Sequence, residues 1–116
     1  MKYFIYMLFV VSFHRDMNGQ FSKIDSLKLL LEKAPNDTNR VNMLMNISNS
    51  YYFYKPDSSI VYSKMSLELA RELDFTNGII RALNQVGEAS RLLGDYPGSL
   101  KMQMEAGITL LNTTKS

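Results

Sequence analysis

Leu83-Asn84-Gln85-Val86-Gly87-Glu88-Ala89-Ser90-Arg91-Leu92-Leu93-Gly94-Asp95-Tyr96 is a helix with a glycine on one face that runs into a Gly-Asp-Tyr turn. Leu83 and Val86 recur at helical spacing. Gly94, Asp95 and Pro97 then stop one helix and start the next, with proline at the first helical position. A second amphipathic segment follows, carrying Leu100, Met104, Gly107, Ile108 and Leu111 on its expected inward face. This is the pattern of an antiparallel helix pair built to stack on copies of itself, and such stacks bind other chains.

Upstream the same grammar repeats. Ser22 followed by Asp25 resembles a capping box. Leu27, Leu30 and Leu31 then line a short helix over residues 23–33 that stops before Pro35. Asn36-Asp37-Thr38 is turn and N-cap chemistry. Val41, Leu44, Ile47 and Tyr51 follow at helical spacing until Lys55-Pro56-Asp57-Ser58 breaks that helix and caps another. The latter turns Ile60, Ser63, Leu67 and Ala70 inward, with Glu68 and Glu72 outward, and runs to about Leu73. After a connector with Thr76 as its cap, the next helix carries Ile79, Leu83, Val86, Gly87, Ser90 and Leu93. No strand-like alternation intervenes, and the class is all-α.

The helices form a repeat. Leu44, Ile47 and Ser48 overlie Leu83, Val86 and Gly87 at a shift of 39, and Ser59, Ile60 and Ser66 overlie Ser99, Leu100 and Ala106 at a shift of 40. Small residues fall on small and aliphatic on aliphatic, which argues for a solenoid unit. On these residues the chain resembles the tetratricopeptide (TPR) family, and within it the exported variant of roughly forty residues per unit that begins many sensory regions in Bacteroidetes-like bacteria. The Pro56-Asp57-Ser58-Ser59 start and the Gly94-Asp95-Tyr96 turn fit that variant. Ser90 and Gln103 depart from it, replacing expected aromatics, as does Ser99, replacing an alanine. Tyr51 stands where the earlier unit needs its aromatic, and Ser48 replaces its glycine.

The resemblance implies antiparallel hairpins stacked as a short right-handed solenoid, with units at about 38–74 and 77–113 preceded by a lone helix at 23–33, all within a domain over 20–116. Ser48, Ser59, Ser66, Gly87, Ser99 and Ala106 are its packing residues: without bulk, they let paired helices approach closely. The resemblance also implies that the first helix of each hairpin lines a concave groove. That groove presents Asn42, Met45, Asn49, Tyr52 and Phe53 from one unit and Arg81, Asn84, Glu88 and Arg91 from the next. Asparagines can bond a peptide backbone, aromatics anchor it, and arginines hold a carboxylate. Most of the eight methionines read as core gap-fillers, with Met45 the exception.

Residues 1–19 differ in composition. Lys2 precedes an apolar run from Tyr3 to Phe13 broken only by Ser12. This fits a secretory signal peptide and a periplasmic destination, and the run is too short to span a bilayer as a helix. An aromatic-rich segment buried in the domain is the alternative. A membrane-anchored structural role requires the segment to stay uncleaved.

Chemistry has little to work with. The chain has no cysteine and one histidine, His14, within that first segment. A histidine-based triad or a thiolate metal site therefore cannot be assembled in the repeats, and no cofactor is implied. Glu68 and Glu72 read as a solvated acidic edge. Gly94-Asp95-Tyr96-Pro97-Gly98 follows a helix and lacks the lysine of a phosphate loop. Asn36, Asn46 and Asn112 match glycosylation sequons by chance composition. With a net charge of +2 and no basic cluster longer than a pair, nucleic acid is not favoured as a partner. A helix-turn-helix reading around Gly94 fails because Pro97 to Thr109 offers Lys101 as its only base, opposed by Glu105. The expected function is non-enzymatic binding of a protein or peptide, in a sensory region shortened from a larger signalling protein. The alternative is a small adaptor that self-associates at its open C-terminal end, because two hairpins fall short of the usual three or more.

Overall fold

A computed structural model of the chain describes residues 23–114. The first segment with its proposed signal, His14, the Ser22 cap and the last two residues lie outside them. Five helices follow one another: α1 over residues 23–33, then α2 Thr38–Tyr51, α3 Pro56–Glu72, α4 Thr76–Leu92 and α5 Tyr96–Thr114. Each of α2 to α4 packs against the helix that follows it, and α4 also meets α2. No strand occurs among the described residues. The architecture is an all-α, TPR-like stack.

Local chemistry sets the boundaries. Asp37, in extended backbone, accepts from the Arg40 N–H at 3.1 Å and starts α2. The Arg40 guanidinium in turn donates to the carbonyls of Leu31 (2.6 Å) and Ala34 (3.0 Å). It satisfies the open C-terminal end of α1 and fastens α1 to α2. Asp95 accepts from the Gly98 N–H at 3.0 Å and starts α5. The α4 start differs from the sequence reading: Thr76 is already helical, and Phe75 holds the cap position with no side-chain bond.

The turns after α3 and α4 are the same device. The Phe75 N–H bonds Ala70 O at 2.9 Å and the Asp95 N–H bonds Ser90 O at 2.9 Å. In each, one residue crosses to left-handed backbone, Asp74 at φ 52° and Gly94 at φ 84°. This is the six-residue C-terminal closure that favours glycine.

Two buried clusters make one core. The first joins Ile24 and Leu31 of α1 to Val41, Leu44, Ile47 and Tyr51 of α2 and to Leu69 and Ala70 of α3. The second joins Met45, Leu67, Ala82, Leu83 and Ala106. Ile79 packs against both, so the apolar interior is continuous along the stack. Each large aliphatic fully withdrawn from water contributes roughly 1.5–3 kcal/mol.

Several expected core positions face outward. Leu30 and Leu93 are exposed: Ile24, Leu27 and Leu31 supply the inner stripe of α1, and Leu93 lies in the turn. On α5, Leu100, Met104, Ile108 and Leu111 are all exposed, and the helix instead buries Ser99 and Ala106 with Met102 against α4. Because α5 is apolar on both sides, helical periodicity did not identify its inner face.

The turn geometry predicts a contrast. A Cβ added at Gly94 would meet nothing within 4 Å, so the whole cost of Gly94→Ala is backbone strain. It should lower unfolding free energy by about 1 kcal/mol, whereas Asp74→Gly should cost nothing. An unchanged urea midpoint for Gly94→Ala would contradict the shared-turn account.

Candidate peptide-binding face

The site rests on two close helix crossings. In the first hairpin Ser48 and Ser59 are both fully buried, and their hydroxyls lie 2.9 Å apart. The Ser48 hydroxyl also lies 2.8 Å from Ser59 O, Ser63 Oγ donates to that same carbonyl at 2.9 Å, and Ser66 Oγ donates to Val41 O at 3.0 Å. Gln85 reaches in from α4, its Nε2 3.3 Å from Ser48 Oγ and 3.4 Å from Ser59 Oγ. No buried side-chain polar atom among the described residues lacks a partner, which is what makes a serine-lined contact tolerable in a core. In the second hairpin Gly87 replaces Ser48. A Cβ there would lie 3.2 Å from Ser99 O and 3.3 Å from Gln103 Cγ. All six small residues named from the sequence are buried at these crossings.

This spacing brings α2 and α4 side by side, and polar groups stitch them. Arg81 donates to Asn42 Oδ1 at 2.9 Å across a sequence separation of 39. Glu88 gathers three donors: Arg91 at 2.9 Å, Gln103 Nε2 at 3.1 Å and the Tyr52 hydroxyl at 3.4 Å. The hydrogen bond and charge of Glu88 push the Arg91 guanidinium above its ordinary range. Between these stitches lies a shallow concavity of about 280 Å³ lined by Met45, Asn49, Arg81, Asn84, Gln85 and Glu88.

Eight of the nine residues named from the sequence therefore share one face. Met45 is part of it only by its edge, being 4% exposed and packed in the second core cluster. Phe53 is elsewhere. At 88% exposed, it borders a second hollow, which shares Asn49 with the concavity, together with Lys23, Leu27, Asn46, Ser50 and Tyr54 at the junction with α1. Beside that junction Tyr51 stacks on Tyr62 at 5.8 Å, with the Lys28 ammonium 5.3 Å from the Tyr51 ring. The neighbouring Tyr51 side chain raises the Lys28 pKa against a smaller opposing effect of burial.

Two polar residues escaped the sequence reading. Gln85 is adjacent to Asn84 and carried no distinguishing signal. Gln103 was visible as a departure from an expected aromatic, and the structure gives its use: its amide holds Glu88 where a ring would fill space. The described residues hold no group of three or more His, Asp or Glu side chains placed to bind a metal. None of their helices is long and apolar enough to cross a membrane.

Stacked antiparallel hairpins with small residues at each crossing define a tetratricopeptide-type repeat scaffold, a class that mediates protein–protein interaction. A family model described as the SusR N-terminal TPR domain matches residues 17–112, and the chain belongs to that family. Searches of curated proteins and of solved structures return no match.

The crossing at Gly87 yields a graded prediction. Gly87→Ala gains helix propensity of about 1 kcal/mol but crowds a backbone carbonyl, so stability should stay within about 1 kcal/mol of the parent. Gly87→Leu should lose about 3 kcal/mol through overpacking. Chemical denaturation reads both, and a leucine variant as stable as the parent would mean that α5 does not approach α4 as described.

Proposed function

We propose that the concave face of α2 and α4 captures an extended polypeptide segment, as part of an exported sensory region. The observation that carries this reading is the state of the asparagines. Asn42 is engaged by Arg81. Asn49 and Asn84 border the same concavity, and their side-chain carboxamides make no hydrogen bond among the described residues. A carboxamide offers a donor and an acceptor side by side, matching the alternating N–H and C=O groups of an extended chain. Arg91 is neutralised by Glu88, whereas Arg81 has only a neutral partner among the described residues and keeps its charge for a ligand carboxylate. An acidic, extended peptide is the ligand class that fits.

Export rests on the Lys2 start and the apolar run that follows it, with residues 1–19 as the signal and the repeat domain from residue 20. On this reading the groove works in the periplasm, the segment leaves no membrane anchor, and ligand capture is passed to the rest of a signalling protein.

Two measurements test these readings. Replacing Tyr52 and Asn84 together by alanine should abolish retention on an immobilised library of acidic peptides while leaving the helical circular dichroism intact. Unchanged retention would remove the groove. Mass spectrometry of the exported protein should find a start near Gln20, and an intact Met1 on a membrane-bound product would overturn cleavage.

A further inference from the structure

The outward stripe of α5 is apolar where the stack does not call for it. Leu100, Met104, Ile108 and Leu111 are 60%, 58%, 56% and 61% exposed and fall within one stripe about 80° wide at 100° per residue. At the repeat shift of 40, their counterparts on α3 are Ile60, Lys64, Glu68 and Arg71, of which the three charged residues are exposed. The α3 positions that are buried in the stack include Ser63, Leu67 and Ala70. Their α5 counterparts are Gln103, Gly107 and Leu110. A further repeat added after α5 would therefore cover Gln103, Gly107 and Leu110 and leave most of the Leu100 stripe in water. Repeat stacking therefore does not account for its apolar character.

We propose that this stripe is a homodimer interface in which α5 of two copies packs antiparallel about a two-fold axis near Met104. The stripe is self-complementary under that operation. Met104 meets its own equivalent, Leu100 lies against the partner's Ile108, and Leu111 reaches the partner's Pro97. Lys101 and Glu105 lie one turn apart on a single flank of the stripe, beside a hollow of about 410 Å³ formed with Pro97, Leu100, Met104 and Ile108. An antiparallel two-fold brings that flank against its own copy, so each Lys101 faces the partner's Glu105 in two reciprocal ion pairs. Glu105 already pairs with Arg71, which fixes its carboxylate at the edge of the interface. Gly107 borders the other flank. A Cβ there would meet nothing within 4 Å, so no contact among the described residues calls for a glycine in mid-helix, and its smoothness suits a second helix lying close. One helix of 19 residues is about 28 Å long at 1.5 Å per residue. A single helix pair of that length makes a small interface, so the dimer should dissociate in the micromolar range.

The full chain is suited to a direct test because it has no cysteine. Sedimentation equilibrium should show a monomer–dimer equilibrium for the parent. In the double variant Met104→Lys with Ile108→Glu, which restores the charge pattern of α3, association should weaken at least tenfold with unchanged circular dichroism. Under mild oxidation Met104→Cys should give a disulfide-linked dimer rapidly, and Leu110→Cys, on the stacking face, should not. A parent that stays monomeric at several hundred micromolar would overturn the proposal. So would a dimer that survives the charged pair, whether held by the first segment or another surface. Cross-linking at Leu110 in place of Met104 would likewise overturn it, pointing to end-to-end stacking.

Discussion

The distance between paired helices at two small-residue crossings is the constraint on which the rest of the molecule depends. Where Ser48 meets Ser59, and where Gly87 meets the Ser99 carbonyl, there is no room for an aliphatic side chain. The two hairpins meet this requirement differently. Glycine leaves space with no polar group to satisfy, but costs about 1 kcal/mol of helix propensity relative to alanine. Serine keeps a better helix former but brings a hydroxyl that must be bonded in the core. Ser59 O, Ser59 Oγ and the Gln85 amide surround the Ser48 hydroxyl. The serine crossing therefore draws on a third helix, and α4 is coupled to the α2–α3 hairpin through a part-buried polar contact as well as through Leu67 and Leu83.

Close crossings also determine what faces outward. With α2 and α4 adjacent, side chains 39 or 36 residues apart in sequence, Arg81 with Asn42 and Glu88 with Tyr52, become direct partners. These bonds fix the walls of the concave face, which on the proposed function lowers the ordering cost of binding. The stitches are exposed and individually weak; the Glu88–Arg91 and Arg71–Glu105 pairs, with side chains about half exposed, are each worth at most about 1 kcal/mol. They orient the surface and add little to stability, which resides in the continuous core bridged by Ile79.

The sequence was most legible where one physical demand dominated. Turn chemistry at Asp37 and Gly94 marked element ends, and the matched series Leu44-Ile47-Ser48 and Leu83-Val86-Gly87 exposed the repeat, because burial and close packing each restrict residue type severely. The helix α5 was misread for the opposite reason. Met104, Ile108 and Leu111 carry the same apolar signal as true core residues, and only the register against Lys64, Glu68 and Arg71 separates them. The proposed groove residues rest on family resemblance, which gives a face but not the bonding within it. Met45 points mostly inward and Phe53 borders another hollow, since a helical face is about 100° wide and its edges belong to whichever neighbour is nearest. Gln85 was invisible because its role depends on α2 and α3 crossing within its reach.

The account turns on the claim that this close-packed frame holds Asn49 and Asn84 ready for a polypeptide backbone. The side-chain amide resonances of the asparagines, followed by NMR during titration with an acidic extended peptide, test it most directly. The account predicts that the Asn49 and Asn84 amide signals shift together and saturate at one ligand concentration, while that of Asn46, beside Phe53, stays in place. Saturating shifts of Asn46 with Asn84 unmoved would contradict it.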